Sequence, residues 1–85
     1  MKHEIISETE IESIASRISN ADYGSLQLFL ETLGNNILTD STKDTQSGRV
    51  ILGKQLQKLG YHIKNAGEEC KEIAELCRPH NQKQD

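Results

Sequence analysis

The chain has 85 residues, 34% of them apolar and 27% charged, with no Trp, one Phe, two Tyr and a net charge of −3. That length excludes more than one small domain, and an aliphatic composition poor in aromatic residues favours helices over a sandwich or barrel. The acidic balance argues against bulk binding to nucleic acid or membranes. A chain this short buries only about 60% of its unfolded surface and gains from self-association.

The first twenty residues hold only spaced Ile side chains, not the continuous apolar run of a signal peptide. No stretch approaches the ~20 apolar residues of a membrane span, and no Asn-x-Ser/Thr sequon occurs. The expected location is cytoplasmic, with reduced thiols.

The first element opens on SETE, residues 7–10. Ser7 is placed to accept from the backbone N–H three residues on, and Glu10 to reach back to the N–H of Ser7, which is a capping box. Ile11, Ile14 and Ile18 then share one face of a helix. SNAD interrupts that run, and Asn20 or Asp22 can cap the next element.

The second element carries Tyr23, Leu26, Leu30, Leu33 and Ile37 at helical spacing, widened by Phe29 and Leu38. It reads as a helix of about four turns. Gly24 falls in its first turn and Gly34 in its interior. TDSTKDTQSG, residues 39–48, is polar and rich in turn formers. It reads as the one clear loop, with Thr45 or Ser47 capping the helix that follows.

The third element is the most regular. Leu52, Leu56, Leu59, Ile63, Ala66, Cys70, Ile73 and Cys77 follow in alternating steps of 4 and 3. The phase is kept through Gly60 and Gly67, which three separate helices would have no reason to do. One helix over about 47–78 is therefore expected, stopped by Pro79. A break near Gly60 or Gly67 is the competing reading, because mid-helix glycine costs up to ~1 kcal/mol against alanine.

Gly53, Gly60 and Gly67 stand seven apart, with Ala74 next in the series. They form a ridge of almost no side chain beside the apolar seam, where a neighbouring backbone can approach closely. The candidate packing and oligomer seam is thus Leu52, Gly53, Leu56, Leu59, Gly60, Ile63, Gly67, Cys70 and Ile73. The fold expected is all-α: a short bundle of about three helices over residues 1–78, the last one long, with a flexible tail over 79–85. A helix of that length outruns two shorter partners, so completion by oligomerisation is expected, most simply as a twofold dimer.

Chemistry-bearing patterns are scarce. Cys70 and Cys77 lie about 10.5 Å apart along a helix, too far for a disulfide, and read as small buried hydrophobes. With His80 they supply three metal ligands at a spacing unlike a zinc knuckle. Counted from Asp40, a calcium loop would put its glycine on Thr45 and its glutamate on Ile51. LGK at 52–54 lacks the phosphate-loop spacing, and no Ser/His/Asp set assembles. No catalytic residue, cofactor or metal is assigned.

Charge is distributed in blocks: residues 1–42 carry a net −5, residues 43–64 a net +4 and residues 65–77 a net −3. The plainest reading is acidic and basic segments lying alongside each other, within or between chains. A narrower one makes Arg49, Lys54 and Lys58, with the partial positive charge of a helix N-terminus, a contact for phosphate or an acidic partner. Taken together, the chain reads as a non-catalytic helical interaction module that binds itself and a protein partner. Leu28 and Leu76, off the main seams, are candidate partner contacts. A binder of nucleic acid or a phosphorylated small ligand is the alternative.

Overall fold

The computed structural model describes the backbone of residues 3–84 and the side-chain surroundings of residues 3–77. It is all-helical: α1 spans Glu8–Ser19, α2 spans Tyr23–Gln46 and α3 spans Val50–Gln84. Each start has a local cause. At α1 the capping box forms, with Glu10 N donating to Ser7 Oγ at 3.1 Å and Ser7 N donating to Glu10 Oε1 at 3.4 Å. At α2 Asp22 is the cap, its carboxylate accepting from the backbone N–H groups of Gly24 and Ser25.

The loop expected over 39–48 is not what forms: α2 continues to Gln46 and is 24 residues long. The turn-forming side chains there are absorbed by the helix itself. Thr39 Oγ1 donates to Asn35 O at 3.0 Å, and Thr42 Oγ1 donates to Leu38 O at 3.3 Å. Such back-bonding is a weak penalty in a helix, and packing against α3 offsets it.

What ends α2 is Gly48, whose φ of +91° lies in the left-handed region that favours glycine. Gly48 N donates to Thr45 O and Arg49 N to Asp44 O, which together close the end as a Schellman motif. Thr45 and Ser47 therefore belong to the end of α2 and do not cap α3, which begins at Val50 rather than about 47.

α3 is continuous through Gly60 and Gly67, so the competing break does not occur. Nor does Pro79 stop it, since the helical backbone runs to Gln84. The missing N–H of Pro79 frees one carbonyl, that of Glu75. Glu75 is exposed, so water can satisfy that carbonyl.

α2 and α3 form an antiparallel hairpin, and α1 meets α2 alone. The Cα atoms fill 54 × 28 × 12 Å, which is one helix thick. A single layer has no inside. Among the described residues the only buried apolar side chain is that of Cys70, a small one. It donates weakly to Tyr23 O at 3.2 Å, tying the middle of α3 to the start of α2.

Candidate interaction surface

The hairpin seam is made of glycine. Gly34 on α2 and Gly53, Gly60 and Gly67 on α3 are buried, and each faces the other helix at backbone range. A Cβ on Gly60 would sit 2.7 Å from Leu38 and 3.3 Å from Gly34 O; one on Gly34 would sit 3.1 Å from Gly60 O. Ser41, also buried, donates from Oγ to Gly53 O at 2.7 Å across the seam. Small residues thus let two backbones touch where larger side chains would hold them apart.

This rearranges the expected seam. Gly53, Gly60, Gly67 and Cys70 lie inside the contact, and Leu56 and Ile63 are half-buried at its margin. Leu52 and Leu59, each 47% exposed, and Ile73, 42% exposed, lie outside it. At 3.6 residues per turn these three sit on one side of the glycine ridge. On α2, Leu26, Leu30, Leu33 and Ile37 sit to one side of Gly34. Because the helices run antiparallel, those two sides open onto the same face of the layer. The two leucine stripes therefore form one continuous apolar face, and none of the described residues covers most of it.

α1 extends that face at the open end of the hairpin. Ile11, Ile14, Ala15 and Ile18 with Leu26 and Phe29 line a cleft of about 440 Å³. Ser19 is its only polar lining residue, so the cleft lacks the few convergent polar groups that orient a small ligand. It is better suited to an apolar side chain. Leu28 and Leu76 are strongly exposed, but helical spacing puts neither on the shared face.

The basic residues are not gathered. Arg49 is engaged with Asp44, at 2.8 Å from Nε and 2.7 Å from a terminal nitrogen, the only ion pair among the described residues. Asp44 is 1% exposed and its second carboxylate oxygen has no partner. A buried carboxylate beside the start of α3 opposes anion binding there. Lys54 is exposed on the back of α3, away from the apolar face, and Lys58 on its outer edge. Among the described residues the acidic α1 makes no contact with α3, so within one chain it does not pair with the basic run. The charge blocks instead lie along α3: residues 50–64 carry three lysines and no acidic residue, residues 65–77 four glutamates and one lysine.

Cys70 and Cys77 are free thiols, buried and half-buried. The side chain of His80 lies outside the described residues. Among those described, no helix is long and apolar enough to cross a membrane. Sequence periodicity found both leucine stripes and the glycine ridge. It missed the Ser41 and Asp44–Arg49 contacts that lock the turn, although Gly34 and Ser41 repeat the seven-residue spacing of the α3 glycines.

No protein-family model matches this chain, and neither a curated protein nor a solved structure is significantly similar to it.

Proposed function

We propose that this protein is a small, non-catalytic helical interaction module that acts by stoichiometric binding of protein to its apolar face. The observation that carries this reading is the one-layer architecture. Leucine and isoleucine side chains from two helices are gathered onto one side and left half-exposed, and the contact that would ordinarily bury them is taken by glycine. A contiguous apolar surface of this kind marks a protein–protein contact site.

The alternative, binding of nucleic acid or a phosphorylated ligand at Arg49, Lys54 and Lys58, has less support. Arg49 is already neutralised by Asp44, and the two lysines stand apart from it.

The test compares Leu52→Glu/Ile73→Glu with Lys54→Glu/Lys58→Glu by circular dichroism, native mass spectrometry and the ratio of absorbance at 260 and 280 nm. The face variant should keep its helicity and lose its associations, and the lysine variant should keep its helicity and associate only several-fold less tightly. Association that survives the face variant, or that is lost only with the lysines and carries absorbance at 260 nm, would overturn the reading.

A further inference from the structure

We infer that the apolar face is occupied by a second copy of the chain, packed face to face and antiparallel, so that α3 of one protomer crosses α3 of its partner near their midpoints. This rests on reading the face as a protein-binding surface and names its occupant. Two independent observations support it.

The first is area. The chain exposes 6894 Å², whereas a compact monomer of its 9.5 kDa mass exposes about 5,000 Å². The excess, roughly 1,900 Å², is more than twice the ~800 Å² that each partner contributes to a standard stable interface. The apolar face runs along α3 from Leu52 to Ile73, about 32 Å. Two layers packed through their leucine sides would have the interior that one layer lacks.

The second is charge. Face-to-face packing allows two twofold axes in the plane of the layer. An axis along the hairpin lays α3 over α2 of the partner and leaves the lysine-rich ends of both α3 helices at one end of the dimer, the glutamate-rich ends at the other. An axis across it sets the lysine half of α3, residues 50–64, over the glutamate half, residues 65–77, of the partner. With the crossing near Ile63, Lys58 and Glu69, both on the outer edge of α3, fall at matching distances on either side of the axis. Each then neighbours the other across the interface, twice by symmetry.

The experiment is sedimentation of the full chain at micromolar concentration, with two sets of variants and a thiol probe. The wild type should run as a dimer, and Leu59→Glu as a helical monomer with association weakened about a hundredfold or more, as for a central contact. Lys58→Glu should weaken the dimer several-fold, and adding Glu69→Lys in the same chain should restore it. In the antiparallel dimer the two Cys77 thiols are about 40 Å apart, so mild oxidation should leave the wild-type dimer uncrosslinked.

A Cys77-linked dimer, or a charge swap that does not restore association, would overturn the antiparallel assignment. A wild-type monomer would overturn self-association altogether. In that event, a partner protein retained by the wild type and lost in Leu59→Glu leaves the module reading standing. Indifference to Leu59→Glu removes that reading too.

Discussion

The glycine seam makes a prediction whose sign changes along one helix. Replacing a helical glycine by alanine gains about 0.8–1 kcal/mol of helix propensity, against whatever the added methyl group displaces. At Gly67 that methyl would meet the flexible Glu31 side chain at 3.1 Å, with backbone no nearer than 3.7 Å. Gly67→Ala should therefore stabilise by most of the propensity gain. At Gly60 it would meet Leu38 at 2.7 Å, and the leucine must move, so the two effects nearly cancel. At Gly53 it would run into Thr45 Oγ1 and lie 3.0 Å from Ser41 O and 3.1 Å from Thr45 N. Helix backbone cannot step aside there without opening the seam. Overpacking of that kind costs about 1–3 kcal/mol, so Gly53→Ala should be a net loss of about 1 kcal/mol or more.

For a domain of this size 1 kcal/mol moves Tm by about 4–8 °C, which thermal unfolding followed at 222 nm resolves easily. The expected order of stability is Gly67→Ala above wild type, Gly60→Ala near it and Gly53→Ala below it. Gly60→Leu should fall lowest, because no movement of Leu38 makes room for four more heavy-atom neighbours of its own kind. If Gly53→Ala gains as much as Gly67→Ala, or Gly60→Leu leaves Tm and solution mass unchanged, the backbones do not approach as described.

Other perturbations probe the turn and the caps. Arg49→Ala strands the Asp44 carboxylate without a counter-charge. Breaking a buried pair in this way costs about 3–5 kcal/mol, and the lower end applies because Arg49 is itself 50% exposed. Denaturant unfolding should report that loss, with recovery in Asp44→Asn/Arg49→Ala. Ser41→Ala removes the bond to Gly53 O and should cost about 1 kcal/mol; a neutral result would place Ser41 outside the seam. At the start of α2, hydrogen bonds from Ser25 Oγ first, then from the Ser25 and Gly24 backbone, hold the Asp22 carboxyl below its usual 3.8. The stabilisation this cap supplies is present above that ordinary value and is lost as pH falls through the lowered one. A carboxyl titration by NMR should give Asp22 a midpoint below 3.8, and one at or above that value would refute the cap.

The elements legible in the sequence were those whose signal is local. SETE fixes the start of α1 by hydrogen bonds within four residues, and the 4–3 phase through Gly60 and Gly67 marks α3 as one helix. Residues 39–46 were illegible because Thr, Asp and Ser carry turn propensity, while what holds them helical is distant: Ser41 on Gly53 and Asp44 on Arg49. Pro79 misled for a related reason, since one lost hydrogen bond, to the carbonyl of exposed Glu75, does not end a helix. The glycine ridge was visible, but its place at the centre of the hairpin and not beside it could be learned only once Gly34 was set opposite Gly60.

That placement explains why the chain has a face to offer. Had leucine filled the α2–α3 contact, the hairpin would have spent its large apolar side chains within one chain. Filling it with Gly34, Gly53, Gly60 and Gly67 seals the hairpin by backbone contact, Ser41 and a half-buried margin. Leu33, Leu52, Leu59 and Ile73 are then free to point the same way. Glycine weakens each helix in isolation, so the arrangement is stable to the extent that something covers those side chains. Folding of the hairpin and binding through its face are on this account coupled. Tm should therefore rise with protein concentration if the covering chain is a second copy, and Leu59→Glu should abolish that dependence as well as lower Tm. A Tm independent of concentration across the range where the wild type is dimeric would separate the two processes and refute the coupling.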